Sequence, residues 1–312
     1  MRVLITGGAG FIGSHVADAF LARGDQVIVV DDLSRGQQGR LAAEATLLTM
    51  SVLDARALCA LTESARPHLI CHLAAQIDVR ASVLDPAEDA RANVVGTVNV
   101  IEAARLAGAR VIFASSGGAL YGRDTAVPSA EDAATLPESP YGVAKLCAEH
   151  YISLSNRMRG SCHSVLRLAN VYGPRQDPAG EAGVAAVFCS RVLAGRAPLI
   201  YGDGTQTRDY VYVGDVARAF TAAADNARPG TWNIGTGTET SVLELAAAIG
   251  AAADRPVAPQ FAPARPGELQ RSAVAPGLAA AELGWRSQIA LPDGVRRVLR
   301  WVRDGTALRA GC

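Results

Sequence analysis

A glycine-rich turn near the start of the chain most limits what this sequence can fold into. An apolar run from Val3 to Thr6 leads directly into seven residues, Gly7-Gly8-Ala9-Gly10-Phe11-Ile12-Gly13, which open an amphipathic stretch. Glycines at such a turn let backbone N–H groups at a helix N-terminus approach a pyrophosphate. The next apolar run ends in Asp31-Asp32, where a carboxylate would bind the hydroxyls of an adenosine ribose. The pattern predicts a dinucleotide-binding site.

The first two thirds of the chain alternate short apolar runs with amphipathic stretches, which is typical of a parallel sheet covered by helices. Helices are predicted over residues 11–22, 55–64, 87–106 and 140–159. We therefore predict an α/β fold, a Rossmann-type doubly wound parallel sheet with a smaller C-terminal α/β lobe. The cofactor-binding domain is expected at 1–169, joined by a segment near 210–236. A discontinuous substrate-binding domain is expected at 170–312, where Gly- and Pro-rich connections begin.

Composition excludes several classes of function. The chain has 312 residues, and 30 Lys and Arg balance 30 Asp and Glu, so no net field attracts nucleic acid or an anionic membrane. The six cysteines include no Cys-x-x-Cys pair, which indicates reduced thiols and no zinc site. No apolar run approaches a membrane span, and the chain enters a strand without a secretion signal. We expect a cytoplasmic protein without a metal.

Tyr141 and Lys145 are four residues apart in a predicted helix, so both side chains share one face. A nearby ammonium stabilises phenolate, so the pKa of the tyrosine is expected to fall and its oxygen to act as a base. Asp31 would repel a 2′-phosphate, which favours NAD over NADP, although Arg35 leaves NADP open.

Five motifs together, in chain order, carry a family resemblance: Gly7 to Gly13, Asp31, His72-Leu73-Ala74-Ala75-Gln76, Asn93-Val94-Val95-Gly96-Thr97, and Tyr141 to Lys145. With them the chain resembles the extended short-chain dehydrogenase/reductases of the NAD-dependent epimerase/dehydratase family. The resemblance implies NAD as cofactor and a nucleotide sugar as substrate. It places these residues at the cofactor: Gly7, Gly10, Phe11, Ile12, Gly13, Asp31, Asp32, Leu33, Ser34, Gly36, Ser51, Val52, Leu73, Ala74, Ala75, Gln76, Asn93, Tyr141, Lys145 and Leu168.

Two segments narrow the reaction within that family. Dehydratases carry an acidic pair just before the Tyr121-Gly122 position, and Gly118-Ala119 stand there instead. The segment from Asn170 to Pro178, followed by 180–184, resembles bacterial UDP-glucose 4-epimerases. Epimerases acting on UDP-glucuronate often carry an arginine near position 177, and Asp177 disfavours a charged sugar.

The same resemblance implies how a UDP-sugar is held. Arg208 and Arg265 are expected at the diphosphate, Glu268 at its ribose and Asn170 at a phosphate. The full set of expected substrate residues is Asn170, Gly183, Val184, Phe188, Leu199, Tyr201, Arg208, Arg265 and Glu268. Two readings stay open, since the arginines could instead form surface salt bridges and Phe188 could belong to the core.

The implied reaction interconverts UDP-glucose and UDP-galactose through a 4-keto intermediate. Tyr141 takes the proton of the sugar 4-hydroxyl while the C4 hydride passes to NAD and returns to the opposite face. The helper Ser or Thr of the family falls on Gly117, so Ser116 or Ser115 must supply a hydroxyl, or a water does. Ser116 is favoured, and Ser115 is expected at the strand end or the nicotinamide region.

Other functions remain open at this stage. They are a 4-epimerase of UDP-glucuronate or UDP-N-acetylglucosamine, a nucleotide-sugar reductase, a dehydratase, and a cofactor-sensing binding protein without catalysis. The helices over 87–106 and 140–159 carry apolar faces that, by the resemblance, pair between two subunits as a four-helix bundle, and those faces could equally be core.

Overall fold

The computed structural model describes residues 1–178, 183–265 and 267–310. Residues 180–182 of the predicted substrate loop, Pro266 and Cys312 lie outside the described residues. The strands are β1 (Arg2–Thr6), β2 (Gln26–Asp31), β3 (Thr46–Thr49), β4 (Leu69–His72), β5 (Arg110–Ser116), β6 (Ser164–Leu168), β7 (Asn170–Tyr172), β8 (Leu199–Tyr201), β9 (Thr207–Arg208), β10 (Tyr210–Tyr212), β11 (Thr231–Ile234), β12 (Thr240–Ser241) and β13 (Gln260–Ala262).

The helices are α1 (Phe11–Ala22), α2 (Ala55–Ala65), α3 (Val79–Leu84), α4 (Pro86–Ala90), α5 (Gly96–Ala107), α6 (Gly117–Leu120), α7 (Pro140–Arg159), α8 (Val184–Leu193), α9 (Val213–Asp225), α10 (Val242–Ala252), α11 (Gly277–Leu283) and α12 (Leu291–Ala310). A single 3₁₀ turn spans Gln38–Arg40, and a π-helical turn, Arg91–Val95, joins α4 to α5.

Seven parallel strands form the central sheet in the order β11-β6-β5-β4-β1-β2-β3. The order reverses between β1 and β4, so the chain winds outward from β1 in one direction and from β4 in the other. Ligands of such sheets bind at this switch point, beyond the carboxyl ends of the strands. The predicted doubly wound α/β fold is confirmed.

Both faces of the sheet are buried, as the continuous apolar runs of its strands predict. One face packs on α1 and α9, where Phe20 and Phe220 are fully buried. The opposite face packs on α2, α5 and α7, where Leu58, Val100 and Ile152 meet the sheet. Strand ends therefore sit on a rigid two-sided support.

The smaller lobe has its own apolar core, built from α8, α10 and α12 with β8 and β10. Short strand pairs, β10 with β7, β12 with β9 and β13 with β8, arrange the loops that face the sheet. Between them β11 leaves the lobe and pairs in parallel with β6 in the main sheet. The chain therefore passes from one lobe to the other more than once.

Local sequence signals explain where the long helix α7 starts and stops. The Ser139 hydroxyl accepts a hydrogen bond from the N–H of Gly142, Pro140 occupies the first turn, and Gly160 ends the helix with φ +64°. The helix predicted over 87–106 differs, because the π turn interrupts it. Inside that turn Asn93 is buried, and π turns often mark functional sites.

Candidate active site

The glycine turn after β1 packs too tightly for side chains. Gly7 has φ +69°, and a Cβ on it would lie 2.6 Å from the backbone nitrogen of Ala74. A Cβ on Gly13 would lie 2.2 Å from the Gly7 carbonyl oxygen. No side chain caps α1 at Gly10, so the first N–H groups of the helix are open to an anion. This cradle fits the pyrophosphate of a dinucleotide.

Asp31 ties the end of β2 to that turn. Its carboxylate accepts hydrogen bonds from the N–H of Ala9 at 3.0 Å and of Leu33 at 2.9 Å. A Cβ on Gly36 would lie 2.4 Å from the same carboxylate. Burial raises the pKa of Asp31, and the two backbone bonds oppose that shift. Asp32, in contrast, is exposed and accepts bonds from Ser34.

The other predicted cofactor residues lie beyond the carboxyl ends of neighbouring strands. Ser51 and Val52 follow β3, the residues from Leu73 to Gln76 follow β4, and Leu168 ends β6. The Ser51 hydroxyl accepts a bond from the N–H of Leu53, and the Val52 carbonyl accepts one from Asn99. The structure therefore gathers these predicted residues along one edge of the sheet.

Three side chains form the candidate catalytic group at the same edge. The hydroxyl of Ser116, at the end of β5, lies near that of Tyr141 on α7 and lowers the pKa of the phenol as a hydrogen-bond partner. Lys145 is 3% exposed and donates to the Ala114 carbonyl at 3.1 Å. Its ammonium lies 4.7 Å from the centre of the Phe113 ring and 5.9 Å from that of Tyr141. A phenol, a hydroxyl and an ammonium thus converge.

Burial controls the protonation of this group. It raises the pKa of Tyr141 to about 12, while the Ser116 bond lowers it and the charge of Asp89 raises it. Burial also lowers the pKa of Lys145 to about 8, against the charges of Asp89 and Glu149. The prediction that Lys145 brings down the pKa of Tyr141 is wrong for the protein alone, because burial raises that pKa more than the Ser116 hydroxyl lowers it, and the charge of Asp89 raises it further.

The choice of lysine at position 145 is informative in itself, beyond the motif to which it belongs. It is the single lysine of the chain, so all the other basic residues among the 30 Lys and Arg are arginines. An arginine would supply charge here as well, but its guanidinium is wider and keeps its proton at any pH. Position 145 therefore calls for a narrow cation that can lose its proton, in addition to a positive charge.

Ser115 belongs to a different, buried network. Its hydroxyl donates to Glu149, which also receives Arg167 in a two-pronged ion pair with the closest approach at 2.7 Å. Arg167 donates further to the hydroxyl of Tyr121, which donates to Asn233 on β11. This network joins α7 to three strands. The structure therefore gives Ser116 the position beside Tyr141 and gives Ser115 a role in holding the strand end.

Gly117 is glycine because the site has no room for a side chain. A Cβ there would lie 2.7 Å from Cγ1 of Val274 and 3.2 Å from the Arg167 carbonyl oxygen. Ser129 holds the segment that carries Val274 against this region. The backbone of Ser129 forms hydrogen bonds with Ala273 and Ala275, the two residues on either side of Val274. The missing hydroxyl at 117 is thus a packing requirement of this chain.

The residues predicted at the nucleotide lie together on the smaller lobe. Arg208 donates to Glu268 at 3.4 Å, and the Arg265 guanidinium stacks 3.8 Å from the centre of the Tyr201 ring. The Asn170 side chain faces Gly118, whose Cβ would lie 3.3 Å from its oxygen. The alternative of an Arg208 salt bridge is thus realised, with Glu268 as partner, inside the predicted cluster.

The structure bears on three predictions for this lobe, which concern Phe188, the start of α8 and Asp177. Phe188 is 2% exposed and packs in the core of the lobe, which corrects its assignment to the substrate. Gly183 starts α8 with φ +32°, where a Cβ would meet the side chain of Gln176, and Val184 follows it partly buried. Asp177 is exposed, and its charge acts on Arg40 of the cofactor half.

Some buried polar residues were not predicted. His72 links Thr6 to Thr97 through bonds of 2.7 and 3.0 Å, and Thr97 donates to the Asn93 carbonyl. Since that donation uses the Thr97 proton, His72 Nε2 is the donor to Thr97, and burial lowers the pKa of His72 to about 3. The hydroxyl of Tyr210 is buried beside Arg208 and has no partner within the described residues. The sequence feature that could have indicated these residues is a polar residue at the end of an apolar run.

The described ranges contain neither a cluster of metal-binding side chains nor a helix suited to a membrane. No group of three His, Cys, Asp or Glu residues is placed to hold a metal ion. No helix there is long and apolar enough to cross a membrane. Cys59, Cys71, Cys147, Cys162 and Cys189 are free thiols.

Comparisons with known proteins agree with one another, and the individual relatives match almost the whole chain. The sequence model described as "NAD dependent epimerase/dehydratase family" matches residues 3–235. A UDP-glucose 4-epimerase of Mycolicibacterium smegmatis is 46% identical over 97% of this chain and 99% of that protein. The crystal structure of the Thermotoga maritima UDP-glucose 4-epimerase with UDP-glucose superposes with a TM-score of 0.96 at 40% identity, covering 98% and 100% of the two chains. That of the Thermus thermophilus enzyme with NAD gives 0.91 at 40% identity, covering 97% and 99%.

Proposed function

The chain belongs to the NAD dependent epimerase/dehydratase family, and we propose that it is an NAD-dependent isomerase that interconverts UDP-glucose and UDP-galactose by inverting C4 of the sugar. This confirms the family resemblance that its motifs indicated. The observation that carries the proposal is the convergence of Ser116, Tyr141 and Lys145 at the switch point of the sheet, next to the glycine cradle.

NAD is held by the cofactor half of the chain. The glycine turn and the N-terminus of α1 receive the pyrophosphate, and Asp31 receives the hydroxyls of the adenosine ribose. The Asp31 carboxylate, held by the N–H groups of Ala9 and Leu33, would repel a 2′-phosphate, which favours NAD over NADP. Bound NAD accepts the C4 hydride and returns it, and its oxidised ring carries a positive charge.

Tyr141 is the proposed base for the sugar 4-hydroxyl. Its pKa of about 12 in the field of the protein means that it needs positive charge nearby to lose its proton at neutral pH. Lys145 is the cation already present, the oxidised ring of NAD would add the further positive charge, and Ser116 would stabilise the phenolate by donating a hydrogen bond to it. The proton therefore moves from the 4-hydroxyl to the Tyr141 oxygen and back, with no net proton released.

The nucleotide end is proposed to hold the substrate while its sugar turns. Arg208 and Arg265 each present a fork of donors to phosphate oxygens, and Arg265 is already fixed in place by Tyr201. Strong binding at the diphosphate and weak binding at the sugar let the 4-keto sugar present its other face to the hydride. Glu268 becomes free for a ribose hydroxyl when Arg208 turns to phosphate.

Other activities find less support in the residues present. Gly118 and Ala119 lack the acid and base that elimination of water requires, which argues against a dehydratase. Asp177 is directed toward Arg40 and adds no positive charge for a glucuronate. UDP-N-acetylglucosamine remains as an alternative substrate of the same site. A reductase would consume external reduced cofactor in proportion to its product.

We also propose a homodimer, formed through α5 and α7 as a four-helix bundle. The outer face of α7 exposes Val143, Tyr151, Leu154 and Met158, spaced as one stripe along the helix. Exposed apolar stripes of this length mark interaction surfaces. Leu154→Arg should give monomers by light scattering. Leu278→Arg is the matched control, because Leu278 is 38% exposed and Leu154 is 40% exposed. A dimeric Leu154→Arg protein would contradict the bundle.

Two further assignments complete the proposal. Residues 1–169 with β11 form the NAD-binding part, and the rest of 170–312 forms the nucleotide-sugar part, since β11 pairs with β6. The free cysteines agree with a reducing compartment, and we place the enzyme in the cytoplasm.

The test of the function is a substrate panel on the purified NAD-loaded protein. UDP-galactose, UDP-N-acetylgalactosamine and UDP-glucuronate are supplied separately, and the products and the reduced cofactor are measured. We expect UDP-glucose from UDP-galactose at the highest kcat/KM, with no net reduced cofactor. Preferred turnover of another sugar overturns the substrate, and stoichiometric cofactor consumption overturns the reaction type.

A further inference from the structure

Asp89 is a buried carboxylate on α4, the short helix that packs against the helix α7 carrying Tyr141 and Lys145. It is 1% exposed, and its Oδ1 atom accepts hydrogen bonds from the side chains of Gln76 at 2.8 Å and Asn93 at 3.0 Å. Its Oδ2 atom is buried without a hydrogen-bond partner within the described residues. A carboxylate held by one oxygen while the other stays bare in the interior is costly, so an electrostatic role is indicated.

The charge of Asp89 reaches both members of the pair. It acts on Tyr141 and on Lys145, and it raises the pKa of each. Gln76 and Asn93 fix the carboxylate in place, because Asn93 also donates to the Gln76 carbonyl at 3.0 Å. The carboxylate of Asp89 is therefore held in a fixed position by the side chains of Gln76 and Asn93.

Glu149 is the other carboxylate that acts on Lys145, but its charge is compensated. Arg167 pairs with both of its oxygens, so the two together are close to neutral at the distance of Lys145. No ion pair of Asp89 occurs within the described residues. Asp89 is thus the uncompensated negative charge that faces the buried ammonium.

We propose that Asp89 is a positioning residue of this site, whose carboxylate is the counter-charge that keeps the buried Lys145 protonated and in place beside Tyr141. The inference rests on the proposed function for its kinetic consequence only. A buried ammonium without a counter-charge would release its proton near neutral pH, and the site would then lose the cation that favours phenolate.

The other titratable groups around the pair are mostly exposed or already hydrogen-bonded. Burial and the charge of Lys145 lower the pKa of His72, at the end of β4, to about 3, so His72 is uncharged near neutral pH. The titratable or charged groups on α3 and around α4 are Asp78, Arg80, Asp85, Glu88 and Arg91. Of these, Asp78 and Asp85 cap the N-termini of α3 and α4. Besides the catalytic pair, α7 carries Cys147, Glu149 and the exposed His150, Tyr151, Arg157 and Arg159, and β5 carries Arg110.

A single-lysine chain allows a direct test. Lysine labelled with ¹³C and ¹⁵N gives one side-chain resonance, from Lys145, whose midpoint is followed against pH in the NAD-saturated protein. Asp89→Asn keeps the shape and the two accepted bonds but removes the charge. We expect its midpoint to fall by about one pH unit. Glu88→Gln removes an exposed charge from the same helix and should leave the midpoint unchanged.

The kinetic readout follows the same shift. Tyr141 and Lys145 both lose a negative neighbour in Asp89→Asn, so both limbs of the kcat–pH profile should move to lower pH by about one unit, leaving its width unchanged. Asp89→Glu should restore most of the wild-type profile. A merely structural role would lower kcat at every pH without moving either limb.

An unchanged lysine midpoint in Asp89→Asn overturns the inference, whatever happens to activity. The resonance does not depend on turnover, so a failed substrate panel would remove the proposed function and leave this inference standing or falling on its own. Asp89→Ser is the second neutral variant if Asp89→Asn does not fold. If neither folds, the wild-type lysine resonance must show a second inflection at acid pH as Asp89 takes up its proton, and a single inflection overturns the counter-charge.

Discussion

Replacing Ser116 by alanine separates the two adjacent serines by function. Ser116 hydrogen-bonds Tyr141, and in the active form that bond is made to a phenolate. Hydrogen bonds to charged groups contribute about 1.5–3 kcal/mol. Since 1.36 kcal/mol corresponds to a factor of ten in rate, kcat should fall about 10- to 160-fold. The pKa of Tyr141 should also rise, because Ser116 is a group that lowers it, and the acid limb of the pH profile should move to higher pH.

Ser115→Ala is the matched control one residue away. Ser115 donates to Glu149, which keeps its ion pair with Arg167 in the variant. We expect a loss of about 1.5–3 kcal/mol in the free energy of unfolding, because the lost bond is to a carboxylate, and a kcat within about twofold of wild type. The assay measures kcat and KM for UDP-galactose, NAD content and thermal unfolding in both variants. A larger loss of kcat in Ser115→Ala than in Ser116→Ala would refute the reasoning.

Three further predictions concern packing, binding and pH. Gly117→Ala should cost about 1–3 kcal/mol in unfolding experiments, since its Cβ would meet Val274, and adding Val274→Ala should recover part of it; strictly additive costs would contradict the contact. Arg208→Met and Arg265→Met should each raise KM for UDP-galactose about 10- to 160-fold with little change in kcat, and a loss confined to kcat would speak against diphosphate binding. Burial lowers the pKa of His163 from 6.5 to about 4, so the unfolded chain binds a proton across that window while the folded chain does not. The free energy of unfolding should therefore fall by about 3 kcal/mol as the pH drops through this window. In His163→Asn, the free energy of unfolding measured by calorimetry should depend less on pH at acid pH, and an unchanged dependence would contradict the mechanism.

Features determined by local sequence were predictable. The bounds of α1 and α7 coincide with those expected, because a glycine turn opens the first helix, and Ser139, Pro140 and Gly160 delimit the second. The glycine cradle and Asp31 were recognisable for the same reason: turn, strand end and helix start are contiguous in sequence.

Features that depend on distant contacts were not predictable. Gly117 is required because Val274 leaves no room for a side chain there. Val274 lies 157 positions further along the chain, so no local sequence pattern indicates this lack of space. The partner of Ser115 is on α7, and only its position in the folded strand separates it from Ser116. Asp89 looked like an ordinary helix residue, and its bonds to Gln76 and Asn93 depend on the π turn.

The error in the pKa of Tyr141 has a physical cause. The spacing of Tyr141 and Lys145 correctly indicated that they share a face, and charge alone would then lower the pKa of the phenol. Burial acts in the opposite direction and depends on how completely the cleft is covered, which spacing does not reveal.

The most direct test of the central claim is the conversion of UDP-galactose by NAD-loaded Tyr141→Phe beside the wild type. The account predicts that the wild type forms UDP-glucose without net reduced cofactor. It predicts that Tyr141→Phe, with its NAD still bound, loses about 100- to 10,000-fold in kcat, because the proton of the 4-hydroxyl has no acceptor. A Tyr141→Phe protein that epimerises at the wild-type rate would contradict the account.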